Sequence, residues 1–146
     1  MEIREVKLDE IEGIFELIDQ YDRPKSPWPN QAETKRIYTG LKLSGGCILG
    51  AIEGGKIIGT CTVNVCPNFS WSGRPYAIIE NVIVSKKQQG KGIGKLLLEN
   101  AKQYAKNKNC YKVALLTGSK QESILKFYET AGFENTKAGF QVRFNA

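Results

Sequence analysis

The chain has 146 residues, of which 41% are hydrophobic and 25% charged, and its formal net charge is +6. This length and composition exclude an intrinsically disordered chain and predict a single globular domain over residues 1–146. There is no histidine and no C-x-x-C pair, which excludes Ser-His and Cys-His catalytic pairs and predicts that no metal is bound.

The first half of the chain alternates between helical and strand patterns. Three prolines exclude regular structure from residues 21–30, and Gly45 and Gly46 end the helix that follows this segment. The predicted elements are a strand over 3–7, a helix with Asp9 as its N-cap, a helix over 31–43, and two strands over 47–52 and 56–65 joined by a hairpin turn.

The second half continues the same alternation. Its predicted elements are a loop over 67–75, a strand over 76–84, an amphipathic helix after Gly94, a strand over 111–117, a helix that Ser119 and Glu122 begin as a capping box, and a final strand over 138–144. This order predicts a mixed α/β sheet with helices on both faces.

Signals for the cellular compartment are negative. The amino terminus is charged from Glu2 onward and lacks the apolar core of a signal peptide. No apolar run approaches the roughly 20 residues that cross a bilayer. Cysteines lie in apolar contexts, as Cys47 does before Ile48, which predicts buried free thiols. We therefore expect a cytoplasmic protein that binds no membrane.

The excess positive charge is confined to one segment. Residues 86–108 contain seven lysines and one acid, so this segment has a net charge of +6 and the rest of the chain has none. Such a cluster fits either a solvated helix face or a site for a compact polyanion. A nucleic-acid binder more often spreads its charge over a broad face, so no nucleic acid is predicted as a partner.

A glycine-rich turn lies inside this basic segment, between a predicted strand and a predicted helix. Its sequence is Gln89-Gly90-Lys91-Gly92-Ile93-Gly94, which matches neither the Walker A motif nor the dinucleotide-binding fingerprint. Alternate glycines let backbone N–H groups approach a ligand closely, and the helix start adds unpaired donors and a partial positive charge. The turn therefore indicates phosphate binding.

Two motifs of the chain resemble those of the GNAT superfamily of acyl-CoA-dependent N-acyltransferases. Gln89-x-x-Gly92-x-Gly94 matches the family's [Arg/Gln]-x-x-Gly-x-[Gly/Ala] motif, and KFYETAGF over residues 126–133 is similar to its late helix. The resemblance implies a GNAT-type α/β fold, with a mixed, mostly antiparallel sheet that is splayed at its centre and flanked by helices on both faces.

The resemblance also implies acetyl-CoA as the acyl donor. Backbone N–H groups of the turn would hold the pyrophosphate of coenzyme A, and β-strand backbone would pair with the pantetheine arm. Many members carry asparagine where this chain has Gln121, which departs from the family pattern. The predicted cofactor-binding residues are Val82, Ile83, Val84, Gln89, Gly90, Lys91, Gly92, Ile93, Gly94 and Lys95.

Two side chains are predicted to handle protons. The resemblance implies that Tyr128 lies near the thioester sulfur, where a phenol can donate a proton to the departing thiolate. Because histidine is absent, Glu80 is the best candidate for the base that accepts the proton of the amine, and burial among apolar neighbours would raise its pKa. A surface or salt-bridged carboxylate at this position is the alternative interpretation. A water relay remains an alternative base, and the N–H group of Val82 would stabilise the oxyanion.

We predict an N-acetyltransferase that moves acetyl to a primary amine of a small molecule in a ternary complex. The alternatives are acetylation of a protein or peptide amine and a non-catalytic acyl-CoA-binding module. Dimers are common among proteins that resemble this one, so a homodimer stays open. Aromatic and proline-rich loops are predicted to form the acceptor pocket through Tyr21, Arg23, Trp28, Phe69, Trp71 and Arg74.

Overall fold

The structure, a computed structural model, describes residues 1–21 and 26–144. The chain forms two compact units, Met1–Leu115 and Leu116–Ala146. The first unit holds a sheet in the order β1-β2-β3-β4-β5. Its strands are β1 (Glu2–Glu5), β2 (Cys47–Glu53), β3 (Lys56–Cys66), β4 (Tyr76–Val84) and β5 (Val113–Leu115).

The sheet is mixed and mostly antiparallel, as predicted. β1 to β4 pair antiparallel, while β4 and β5 pair in parallel. The parallel ladder covers three positions and ends where Ile79 lies opposite Leu115, although β4 continues to Val84. The second half of β4 therefore leaves the β5 ladder, which gives the sheet the central opening that the resemblance implied.

Helices cover both faces of the sheet in the first unit. Ile11, Ile14 and Leu17 of one helix pack with Ile83 in the core on one face. On the other face, the thiol of Cys61 contacts the carbonyl of a second helix at Leu97. The helices are α1 (Ile11–Asp19), α2 (Gln31–Leu43), the short α3 (Ser70–Gly73) and α4 (Ile93–Asn107), with α5 (Glu122–Thr130) in the second unit.

Helix starts differ from the predictions at two places. A 3-10 turn, Leu8–Glu10, precedes α1 because the carboxylate of Glu10 accepts the N–H of Lys7 at 2.9 Å, so Asp9 is not the N-cap. Gln121, not Ser119, is the N-cap of α5. The hydroxyl of Ser119 instead accepts the N–H of Gln121 at 3.2 Å, which makes a turn before the helix. The predicted bounds of α2 and β4 are confirmed.

Two predicted strands are shorter or absent in the described part of the chain. The strand expected over 111–117 is confined to Val113–Leu115, because its ladder with β4 supports three positions. Residues 138–144 form no strand, and Phe140, Val142 and Phe144 are 93%, 75% and 90% exposed. Alternating side chains predict a strand, but the backbone also needs a partner ladder.

The predicted free thiols are confirmed. Cys47, Cys61 and Cys110 are buried, Cys66 is half-buried, and all four are free. Burial raises the pKa of Cys47 to about 11 and that of Cys61 to about 12. None of the helices in residues 1–21 and 26–144 is long and apolar enough to span a membrane.

Candidate active site

The amino terminus of α4 presents open hydrogen-bond donors. Its N-cap is Gly92, with a left-handed φ of 80° and no side chain that could cap the helix. In the first turn of the helix, the N–H of Leu96 donates a hydrogen bond to the carbonyl of Gly92 at 3.1 Å. Helix geometry therefore leaves the N–H groups of Ile93, Gly94 and Lys95 without intrahelical acceptors. Together with the helix dipole, these donors fit an anion such as a phosphate.

The glycine turn in front of α4 is spacious. Gly90 and Gly92 have φ values of 79° and 80°, a conformation that glycine adopts without strain. A Cβ atom built on either residue would meet no heavy atom within 4 Å. The space beside the turn is therefore available to a ligand, and the residues present fit the phosphates of coenzyme A.

Close packing on β3 fixes the start of α4. A Cβ atom on Gly59 would lie 3.0 Å from Ile93 Cγ2 and 3.1 Å from Leu97 Cδ1, so a larger residue here would require these side chains to shift. The predicted apolar face of α4 is confirmed, since its buried residues are Ile93, Leu97, Leu98, Ala101 and Ala105.

A β-bulge reshapes the middle of β4. Asn81 has a φ of 54°, and Asn81 and Val82 together lie opposite the single residue Cys61. Thr62 is paired with Glu80, and Thr60 with Ile83, so the extra residue places Glu80 and Ile83 on the same face. Sequence reasoning missed this bulge. An asparagine inside an apolar strand was the available signal, because asparagine tolerates positive φ.

The backbone of Val84 faces the opening of the sheet. The N–H of Ser85 donates to the carbonyl of Ile58 at 2.8 Å, so these two residues form a hydrogen-bonded pair of the ladder. The next pair along the ladder is Val84 with Gly59. Because hydrogen-bonded and non-hydrogen-bonded pairs alternate in antiparallel ladders, the polar backbone groups of Val84 point away from β3. The side chain of the preceding residue, Ile83, is buried in the core. Val84 thus has the orientation that pairing with an added strand requires.

Tyr21, predicted to contact the acceptor, lies against this cofactor side of the site. Its hydroxyl donates to the carbonyl of Val84 and accepts from the side-chain amide of Gln89 at 2.7 Å. The N–H of Lys86 donates to the side chain of Gln20 at 2.9 Å, and the Lys86 ammonium lies 5.3 Å from the Tyr21 ring centroid. The end of α1 is therefore bonded to the segment that leads into α4.

A cavity of about 480 Å³ lies between α1, α2 and the sheet face that carries Thr62. Thr62 is the cross-strand neighbour of Glu80, so the cavity reaches the strand position beside that carboxylate. The residues that line it are Ile11, Ile14, Phe15, Ile18, Pro29, Thr34, Ile37, Tyr38, Gly40, Leu41, Ser44, Ile48, Thr62, Asn64 and Asn81.

None of the described residues predicted for the acceptor belongs to the lining of this cavity. Trp28 lies beside the cavity, since its ring centroid is 5.1 Å from that of Phe15 and its indole donates to Asp19 at 2.8 Å. Arg23 lies outside the described residues. The other predicted residues, Phe69, Trp71 and Arg74, are not among the described residues that line the cavity.

The loop with Phe69, Trp71 and Arg74 has a structural environment of its own. It precedes β4, at the strand end opposite to the glycine turn. Arg74 donates to the carbonyls of Asn109 and Cys110, at 3.2 and 3.0 Å. Trp71 stacks on Tyr111 at 5.2 Å, and Phe69 is fully exposed. Trp71 therefore packs against Tyr111. Arg74 supplies hydrogen-bond donors to two carbonyls that follow the end of α4, where intrahelical donors are lacking.

The proposed base Glu80 is exposed, which contradicts the expectation that it is buried. Its neighbours Ile79 and Ile83 are buried, but alternation and the bulge leave the carboxylate accessible. In the described residues there is no group of three or more side chains that could hold a metal ion.

Tyr128 belongs to the second unit, on α5. Its half-buried ring packs edge-on against Phe127 and Phe133, with centroid distances of 5.1 and 6.4 Å. Burial raises the pKa of Tyr128 above its ordinary value of 10. The phenol therefore stays protonated at neutral pH and can donate a proton.

An open mixed sheet and a glycine-capped helix start define an α/β fold with a helix terminus suited to an anion. The model of the acetyltransferase (GNAT) family matches residues 11–133, and the chain therefore belongs to this family. The match covers residues of both compact units.

Solved structures share this fold over nearly their whole length. One, from Agrobacterium tumefaciens str. C58, has a TM-score of 0.87 and 34% identity, covering 99% of this chain and 100% of that one. Glucosamine-6-phosphate N-acetyltransferase from Arabidopsis thaliana has a TM-score of 0.85 and 26% identity, covering 99% of this chain and 98% of that one.

A curated relative is glucosamine 6-phosphate N-acetyltransferase from Trypanosoma brucei brucei. It is 37% identical over 79 residues, which cover 54% of this chain and 52% of that protein. The chain spans about half the length of the curated relatives it matches.

Proposed function

We propose that the protein transfers the acetyl group of acetyl-CoA to the primary amine of a small molecule in a ternary complex. Family membership supports the reaction class. The observation that carries the proposal is the start of α4, where a glycine N-cap leaves backbone donors open inside a lysine-rich segment. Curated relatives that act on an amino sugar phosphate support a small-molecule acceptor.

The glycine turn would hold the diphosphate of the coenzyme. The N–H groups of Ile93, Gly94 and Lys95 supply donors at the positive end of the helix dipole. Exposed lysines, including Lys87 and Lys95, add positive potential beside them. The carbonyl of Val84 accepts from Tyr21, so its N–H is the group that would donate to the pantetheine arm, as in an added strand. When bound, acetyl-CoA supplies an activated acetyl thioester.

The proton transfers need an acceptor and a donor from the chain. Only a neutral amine can attack a carbonyl carbon, so we assign Glu80, or a water molecule that it orients, as the proton acceptor. We assign Tyr128 as the proton donor to the leaving thiolate. Burial raises the pKa of Tyr128, so the phenol holds its proton at neutral pH.

Two other functions compete with this assignment. The cavity of about 480 Å³ favours a small molecule over a protein or peptide amine, because such volumes suit small ligands. A non-catalytic acyl-CoA-binding module would bind the coenzyme without turnover. Buried free thiols favour a cytoplasmic location for either function.

The test is a thiol-release assay with acetyl-CoA and a panel of amines, amino sugars and peptides. The proposal predicts turnover of at least one small amine, and Glu80→Gln should lower kcat at least tenfold. Glu53→Gln, at an exposed position at the end of β2, is the matched control and should leave kcat unchanged. Coenzyme binding without turnover of any amine would support the non-catalytic module, and an unchanged Glu80→Gln variant would assign the base to water alone.

A further inference from the structure

We propose that the acceptor is an apolar primary amine, one with an aromatic or branched aliphatic group, that binds in the cavity between α1, α2 and the sheet. This inference rests on the proposed acetyl transfer and specifies its substrate class. It departs from those curated relatives whose names give glucosamine 6-phosphate as the substrate.

The chemistry of the described cavity wall favours an apolar ligand over a phosphate-bearing one. Every one of the lining residues in the described part of the chain is formally neutral. A phosphate dianion loses its hydration on entering such a space, and charged donors such as arginine or lysine would have to replace it. The large side chains of the wall are instead apolar: Ile11, Ile14, Phe15, Ile18, Ile37, Leu41 and Ile48.

Polar groups on one side of the cavity orient the amine. Thr62, Asn64 and Asn81 lie on the sheet side, and Thr62 is the cross-strand neighbour of Glu80. The amide nitrogen of Asn64 donates to the carbonyl of Ile78 at 3.2 Å, so its oxygen is left to accept from an N–H group. An ammonium or amine therefore finds acceptors near Glu80, while its apolar group contacts the helices.

Loose packing of α2 keeps this space open. None of the 13 residues of α2 is buried. The helix is attached by the hydroxyl of Tyr38, which donates to the carbonyl of Val6 at 2.9 Å, and by an ion pair between Lys42 and Glu5. Because these attachments leave its inner face unfilled, a ligand can supply the apolar contacts that the chain does not.

The test compares three amines in the thiol-release assay: 2-phenylethylamine, glucosamine and glucosamine 6-phosphate. We expect kcat/KM for 2-phenylethylamine to exceed that for glucosamine 6-phosphate at least tenfold. Equal or higher kcat/KM for the sugar phosphate would overturn the substrate class while supporting acetyl transfer. Failure of all three amines, in a protein that binds acetyl-CoA, would count against acetyl transfer itself.

Two variants of α2 test whether the amine binds in this cavity. Thr34 lines it, whereas Thr39 is exposed and does not belong to its described lining. Thr34→Phe should lower kcat/KM for 2-phenylethylamine at least tenfold and abolish the thermal shift that this amine alone produces. Thr39→Phe is the matched control and should change kcat/KM less than twofold. Equal effects of the two variants would overturn the assignment, with circular dichroism as the check on folding.

Discussion

The hydroxyl of Tyr21 donates a hydrogen bond to the backbone carbonyl of Val84, 63 residues further along the chain. The same hydroxyl accepts a hydrogen bond from the side chain of Gln89, which belongs to the glycine turn. One phenol thus ties the end of α1 both to the open end of β4 and to the turn that leads into α4.

Tyr21→Phe should lower the free energy of unfolding by about 1 kcal/mol, the usual value of a partly buried hydrogen bond. For a chain of this size the melting temperature should fall by about 2–4 °C, measured by calorimetry. Gln89→Ala removes the partner of the same hydroxyl, so the double variant should lose less stability than the two single losses together. Strict additivity would contradict a direct bond between the two side chains.

Gly92→Val should weaken acetyl-CoA binding at least tenfold. The positive φ makes valine strained there at a cost of about 1–2 kcal/mol, and its side chain would enter the space where we place the diphosphate. Gly55→Val is the matched control, because Gly55 has a similar φ of 74° and equally open surroundings in the β2–β3 hairpin. Calorimetric titration should show normal affinity in Gly55→Val; equal weakening in both variants would refute the assignment.

Tyr128→Phe should lower kcat at least tenfold and leave the affinity for acetyl-CoA unchanged. The donor acts in its protonated form and burial raises its pKa, so the loss of kcat through its ionisation should occur at a higher pH than for a free phenol. Tyr111→Phe, in the Trp71 stack, is the control and should keep the wild-type kcat. Equal rates for Tyr128→Phe and the wild type would remove Tyr128 from the mechanism.

The buried thiols should make stability fall at alkaline pH. Cys61 has a pKa of about 12 in the folded protein against 9 when unfolded, so its contribution is complete below pH 9 and is lost as the pH rises toward 12. Urea unfolding at pH 8 to 10.5 should show this decrease, with a shallower slope in Cys61→Ala. If the free energy of unfolding falls equally with pH in both proteins, ionisation of the Cys61 thiol does not affect stability.

A thiol reagent at pH 8 should separate the cysteines by their burial. Half-buried Cys66 should react in the native protein, while Cys47, Cys61 and Cys110 should react only after denaturation. Mass spectrometry counts the modified residues. More than one modified thiol in the native state would contradict the packing of the core.

The sequence was sufficient where a pattern depends on local chemistry. The end of α2 before Gly45 and Gly46 and the bounds of β4 follow from local residue patterns. The amphipathic face of α4 likewise follows from the spacing of its apolar residues. The reaction class came from two short motifs whose backbone roles are local.

Long-range contacts are where sequence reasoning failed. The pattern of Phe140, Val142 and Phe144 predicts a strand, yet a strand also needs a partner whose position the pattern does not encode. Arg74 was assigned to the acceptor, although carbonyls 35 and 36 residues away bind its guanidinium. The cavity under α2 also depends on tertiary packing. Trp28, which lies beside it, was suggested by a loop motif, but none of the residues of its described lining was.

The most direct test of the central claim is a titration of the ¹⁵N-labelled protein with coenzyme A, followed by amide chemical shifts. If the start of α4 holds the diphosphate, the amide resonances of Ile93, Gly94 and Lys95 should show the largest saturable shifts, and the hairpin amides at Gly54 and Gly55 should stay in place. Saturable binding that leaves the three helix amides unmoved would contradict the account.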